Sequence, residues 1–184
     1  MTQTIEKRLA PAAYQQTVTG RTLSGYAALY GVEARIGDFT ESFAPGSMAK
    51  TLANRPAGRD IVALVDHDTS SLLGRTGSGT LRLQSDAKGL RFELDVPETP
   101  LGDEILALQG RSDLGGISFG FVATGESWQG TKRTVTEAEL FEISIIRAFS
   151  AYPNGDTLSV RSLHQQAAND LRRQLYVTYL GGAR

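Results

Sequence analysis

Apolar side chains recur at every second position along residues 115–122: Ile117, Phe119 and Phe121 share one face of an extended strand, and Gly116, Ser118 and Gly120 share the other. One face is bulky and the other nearly bare, which leaves the Ser118 hydroxyl open to whatever docks on that side. The same alternation runs through Thr80–Leu83 and Leu90–Val96, joined by the turn-forming stretch 85–89, and predicts a hairpin with one wet face. Ile61–Val65 is apolar at five consecutive positions, the pattern of a strand covered on both faces, and it delivers Asp66-His67-Asp68 at its end. Leu23–Tyr30, between Gly20 and Gly31, reads as a further strand. So does Leu140–Ile146, with Phe141, Ile143 and Ile145 facing one way and Glu142 and Ser144 the other. Thr136 and Glu139 have capping-box spacing, but the stretch directly after Glu139 has strand composition.

Helices are expected at Glu41–Leu52, with Pro45 in the first turn and Phe43, Met48 and Leu52 available for the core, and at Gly102–Gln109, with acidic residues in its first turn. Leu163, Ala167, Leu171 and Leu175 are spaced by four and describe an amphipathic helix over 163–180, preceded by a short strand at 158–160. Residues 1–19 read as an edge strand or a loose arm, and Gly125–Arg133, around Trp128, as a lid or a hairpin tip. The 184 residues thus divide into an N-terminal arm (1–19), one domain (20–162) and a C-terminal helix or tail (163–184). The fold class is α+β, mainly β, with a few peripheral helices.

Composition narrows the chemistry. Lys plus Arg is 19 against 20 for Asp plus Glu, a net charge of −1, so the basic footprint of a nucleic-acid binder is missing. No apolar run approaches the ~18 residues that span a membrane, and the first residues lack the apolar core of a signal peptide, so a cytoplasmic location is expected. There is no cysteine, which excludes a thiol nucleophile and disulfides, and with only His67 and His164 a histidine-rich metal cage is excluded as well. No cofactor is called for.

Three polar side chains sit on, or at the end of, otherwise apolar strands: His67, Ser118 and Glu142. A serine hydroxyl attacks poorly until a base takes its proton, imidazole does this near neutral pH, and a carboxylate on the far ring nitrogen fixes the tautomer. Each residue also has a bland alternative. The Ser118 strand can be a small-residue face packed under a neighbour, His67 a satisfied strand-end histidine, and Glu142 a half-exposed charge paired with an arginine. Gly116-Ile117-Ser118-Phe119-Gly120 fits the Gly-x-Ser-x-Gly pattern of esterase-like hydrolases, but the strand alternation continues through Phe121-Val122 where that motif requires a helix to start.

The segments His67-Asp68, Leu73–Thr76, Ser78–Leu81, Asp86 with Gly89-Leu90, Asp95–Thr99, Ile117–Phe121 and Leu140–Ser144 resemble, in content and order, the prohead maturation proteases of HK97-type tailed phages. Such proteins also occur in prophages and gene transfer agents. The resemblance spans about residues 20–160 and leaves the helix after Leu163 outside it. It implies a serine endopeptidase with a small β-barrel, closed or partly open, of the herpesvirus-protease type. It further implies Ser118 as nucleophile and His67 as base. Herpesvirus enzymes use a second histidine as third member, whereas the corresponding motif here offers Glu142; His164 lies beyond the matched region. Ser150-Ala151-Tyr152 stands where relatives often have Pro-Ala-Tyr, a departure confined to a turn. Arg147 and Arg75 are candidates to meet the oxyanion, with structural arginines as the alternative, and Gly116 and Gly120 are candidates to line a substrate groove. The implied partners are the major capsid protein with its scaffolding segment and the chain itself, as autoprocessing substrate or in a homo-oligomer, inside the prohead in the host cytoplasm, with no nucleic acid or membrane. The competing class is a non-catalytic assembly protein that co-polymerises with capsid subunits.

Overall fold

The computed structural model describes residues 5–10, 16–53 and 60–148. In chain order they form β1 (Glu6–Leu9), β2 (Thr17–Thr19), β3 (Thr22–Leu29), β4 (Ala34–Ile36), β5 (Phe39–Phe43), α1 (Ala49–Ala53), β6 (Val62–Val65), β7 (Asp68–Arg75), β8 (Leu81–Ser85), β9 (Gly89–Asp95), α2 (Pro100–Gly110), β10 (Gly116–Gln129) and β11 (Lys132–Ile146). The short strand at 158–160 and the amphipathic helix from Leu163 lie outside the described residues.

One sheet has the order β1-β10-β11-β5-β4. Its centre is the long antiparallel hairpin of β10 and β11, and β11 uses its second edge twice: β5 runs parallel to Lys132–Val135, and β6 runs parallel to Glu142–Ile145. β7 then returns antiparallel along β6. The other sheet is antiparallel, in the order β2-β3-β9-β8. Both contribute to one apolar cluster that joins Phe43, Phe119, Phe121, Ile143 and Ile145 with Leu23, Leu90, Phe92 and Leu94, and with Met48 and Ile105. The Phe43 ring meets Phe119 and Phe121 edge-on at 5.3 and 5.0 Å, a favoured aromatic geometry.

The mainly β character, the Leu81–Asp95 hairpin and the doubly buried β6 follow the hydrophobic pattern. α2 also lies where expected, with Thr99 as N-cap accepting from the Gly102 amide at 3.2 Å and Pro100 opening the helix. Barrel closure is not found among the described residues: β1, β4 and β7 end the first sheet as edges, and β2 and β8 the second.

The expected helix over Glu41–Leu52 is wrong over Glu41–Met48. Residues 39–43 are a strand because β11 offers them an open edge, with Phe43 opposite Val135, and because two arginines draw Glu41 inside; only Ala49–Ala53 is helical. The expected loop at Gly125–Arg133 is the tip of the β10–β11 hairpin, whose pairing continues to Gln129 opposite Lys132. β4 and β7 had no signal strong enough to be read as strands.

Candidate functional site

β6 and β7 are joined by two residues only, since Val65 pairs with Asp68 and leaves Asp66-His67 as the turn. Both take the left-handed conformation, φ 50° and 61°. Two-residue hairpin turns that match strand twist demand positive φ, which is why Asn-Gly is the usual solution. A non-glycine residue held there costs on the order of 1–3 kcal/mol and persists only where its surroundings over-determine it. Here the Asp66 amide donates to Ile145 O (3.0 Å), the Asp66 carboxylate accepts from the Arg147 amide (3.0 Å) and Nε (2.8 Å), and the His67 amide donates to Ser144 Oγ (3.2 Å).

The turn presents the imidazole to Glu142. His67 Nδ1 lies 2.6 Å from Glu142 Oε1. A carboxylate only accepts, so Nδ1 carries the hydrogen and Nε2 is the basic nitrogen of the neutral ring. Glu142 reaches this position through a bulge. Phe119 pairs with Ile143 and Phe121 with Leu140, so Phe141 is an extra residue and the strand changes phase across it. Leu140 and Ile143 therefore both face the core, and Glu142, opposite Gly120, faces the other way. Ser144 Oγ donates to Glu142 Oε2 at 3.2 Å while accepting from the His67 amide, and is itself fully buried. Burial pushes the Glu142 carboxyl up, but the bond from His67, the His67 and Lys7 charges and the Ser144 hydroxyl outweigh it and hold the group below the ordinary carboxylate range.

Ser118 sits opposite Ser144, on the face that carries Glu142. Side chains of such directly opposed residues have Cβ atoms roughly 4.5–5.5 Å apart. The register thus brings Ser118 beside the Ser144–Glu142–His67 assembly. Ser118 is 2 % exposed, and its Oγ donates to Arg8 O at 2.8 Å, so in this state the hydroxyl is engaged by β1 and not by the imidazole.

Gly120 is bare for a specific reason: a Cβ there would lie 2.8 Å from Glu142 Cγ and Oε1, so the glycine makes room for the carboxylate that meets His67. Gly116 has φ 125°, which only glycine adopts freely, and Leu9 lies over it. Arg147 is held beside the His67 turn, but its amide and guanidinium donate to Asp66 and Glu104. Arg75 is at the far end of β7 from that turn, 3.7 Å from Asp60, and is not brought to the other candidates.

Sequence reasoning missed Arg8 and Lys7, which belong to an arm without periodicity, and the bridging role of Ser144, whose only signal was its place two residues after Glu142. It also missed the ionic cluster on the opposite side of β1: Arg8 bonds Glu41 and Glu6, and Arg133 bonds Glu41, Glu6 and Glu126. Among the described residues no group of acidic and histidine side chains has the arrangement of a metal site, and no helix is long and apolar enough to cross a membrane.

A buried carboxylate on Nδ1 of a histidine, with a serine on the neighbouring strand, is the equipment of nucleophilic acyl transfer. Comparison with known proteins points the same way. The sequence model of the caudovirus prohead serine proteases matches residues 9–169, a wider span than the motifs alone cover. No similar protein of curated function and no similar solved structure was found.

Proposed function

The chain belongs to the caudovirus prohead serine protease family, and from that premise we propose that it is the endopeptidase of capsid maturation, with Ser118 as nucleophile, His67 as base and Glu142 as the carboxylate that orients the imidazole. The observation that carries the reading is the 2.6 Å contact between His67 Nδ1 and Glu142 Oε1, made from a strand bonded to the Ser118 strand. Glu142 takes the place that a second histidine fills in the herpesvirus enzymes. The two sheets are then the open form of a barrel of that type.

In the reaction Ser118 Oγ adds to the scissile carbonyl carbon while its proton passes to His67 Nε2. Glu142 stabilises the imidazolium, which returns the proton to the leaving amine. Water then attacks the acyl-enzyme with His67 again as base, and the serine is released. A depressed carboxyl suits this role, because Glu142 stays ionised while the imidazole gains and loses its proton. For the oxyanion, Arg147 is our candidate, since it is tethered next to the His67 turn and needs only to exchange Asp66 or Glu104 for substrate.

The substrates in this reading are the scaffolding segment of the major capsid protein and the protease itself, and the place of action is the prohead in the host cytoplasm. Co-expression with the neighbouring major capsid protein tests it. The wild-type chain shortens the capsid protein, read by intact mass, and Ser118→Ala and His67→Ala leave it full length, with losses on the order of 10⁴-fold or more. The burial of Ser118 and its bond to Arg8 favour one other reading, a non-catalytic assembly protein, for which wild type and both variants leave identical uncut masses in assembled shells.

A further inference from the structure

Residues 6–10 lie on the nucleophile strand as a bound peptide would. β10 has two edges: β11 fills one along its whole length, and β1 fills the other at Ser118–Phe121, with the Ala10 amide donating to Ile117 O at 2.7 Å. A strand can be added beside Ser118 only in the lane that β1 holds. Direct pairing puts Leu9 opposite Ser118 and Lys7 opposite Gly120, so both side chains lie on the face of the catalytic residues. Leu9 Cδ1 is 3.6 Å from the point where a Gly116 Cβ would stand. Lys7 is close enough for its charge to help hold the Glu142 carboxyl low. The carbonyl between these two side chains, Arg8 O, takes the hydrogen bond from Ser118 Oγ. Arg8 itself points the other way, into its bonds with Glu41 and Glu6. A serine 2 % exposed, with its proton committed to a main-chain carbonyl, meets no second chain while β1 stays in place.

We propose that the β10 edge held by β1 is the substrate-binding site, that residues 6–10 occupy it as a pseudosubstrate strand, and that its ligand is an extended peptide with a cationic side chain two residues before an aliphatic one. The inference rests on the serine-protease reading and adds to it the lane, the recognised pattern and a latent state. Main-chain bonds to Ile117–Phe121 supply affinity, as in other strand additions, and alternate side chains supply selectivity. The notch over Gly116 takes the aliphatic group, and the Glu142 side of Gly120 takes the cation. The clamp that keeps β1 seated is formed by the ion pairs of Arg8 with Glu41 and of Glu6 with Arg133.

The test uses the full chain carrying Ser118→Ala, which binds without cutting. The probe is a capped hexapeptide of the sequence of residues 5–10, at about 10 mM, above the millimolar effective concentration of a tethered strand. Hydrogen exchange read by mass spectrometry then reports β1 and β10 separately. The expected result is at least tenfold faster exchange at residues 6–10 with protection of 117–121 retained, and at least tenfold weaker action of peptides carrying Lys7→Glu or Leu9→Asp. Unchanged exchange at 6–10, or equal action of the altered peptides, overturns the proposal. In the chain with Ser118 present, Glu6→Gln loosens the clamp and raises the rate of Ser118 labelling by an alkyl fluorophosphonate severalfold. Equal labelling rates with and without Glu6→Gln, with residues 6–10 losing their protection in the variant, overturn the proposal while the protease reading stands. Displacement of β1 without hydrolysis by any form has the opposite meaning: the lane is right and the protease reading fails.

Discussion

Gly120→Ala separates the catalytic geometry from the stability of the fold. The added Cβ would stand 2.8 Å from Glu142 Cγ and Oε1, whereas an ordinary contact begins near 3.4 Å, so the Glu142 side chain must retreat by about 0.6 Å at both atoms. That retreat is as large as the whole range, about 2.7–3.2 Å, over which an N–H···O bond stays good, and the Oε1 that moves is the one 2.6 Å from His67 Nδ1. A displacement near 1 Å in a catalytic constellation costs on the order of 10²-fold, so a loss of about 10- to 100-fold in kcat/KM is expected. Stability moves little. Gly120 does not have positive φ, and replacing such a glycine stabilises by about 0.4–1 kcal/mol through the unfolded chain, which offsets the local crowding. The assay is single-turnover cleavage of the capsid protein by Gly120→Ala, Glu142→Ala and the double variant, beside urea unfolding of each. With Glu142 truncated the three atoms nearest the new Cβ are gone, so the double variant has the activity of Glu142→Ala alone. Wild-type activity in Gly120→Ala, or losses that multiply in the double variant, would refute the reasoning.

Other expectations concern the frame. Glu41→Gln takes the shared carboxylate from Arg8 and Arg133 in a site where Glu41 is 2 % exposed; unpairing buried charge costs about 3–5 kcal/mol, and the lower end is expected because Glu6 still faces both arginines, so the urea midpoint falls with the slope unchanged. Phe121→Ala opens a cavity against Phe43 and Phe119 and costs about 3–5 kcal/mol by the same measurement. Glu6 and Glu142 are held below their ordinary value of 4.5, burial being outweighed at Glu6 by Arg133 and Arg8 and at Glu142 by His67 and Lys7. A depressed carboxylate binds fewer protons folded than unfolded, so its contribution is whole above about pH 4.5 and is lost as pH falls through the folded value. The urea midpoint should therefore drop between about pH 5 and pH 3, less steeply in Glu142→Gln; a flat profile would contradict the pairing.

His67 and Ser118 were legible because each marks a strong local pattern: a five-residue apolar run with a histidine two residues after it, and a small-residue face opposed to Ile117, Phe119 and Phe121. Glu142 was legible as a polar residue on the strand face opposite Ile143, but the phase of the strand just before it was not. Period-two reading put Phe141 with Ile143, whereas the bulge takes Phe141 out of the pairing and sets the phase from Leu140. Bulges of this kind have no side-chain signature. Glu41 misled for a related reason: an acid in a stretch with helical spacing looks like a wet helix face, and only partners at Arg8 and Arg133, 33 and 92 residues away, make it a buried strand residue. The cover over Ser118 was hidden for the same cause, since β1 gains its order from β10 and shows no periodicity of its own. Long-range pairing, not local propensity, decided each of these.

The central claim, that Ser118 is activated by the His67–Glu142 pair, is tested most directly by mapping the adduct of an alkyl fluorophosphonate on the full chain. The account predicts one adduct, on the peptide containing Ser118, absent in Ser118→Ala and formed at least 10³-fold more slowly in His67→Ala, however slow β1 makes the wild-type rate. An adduct on another residue, or an equal rate at Ser118 in His67→Ala, would contradict it.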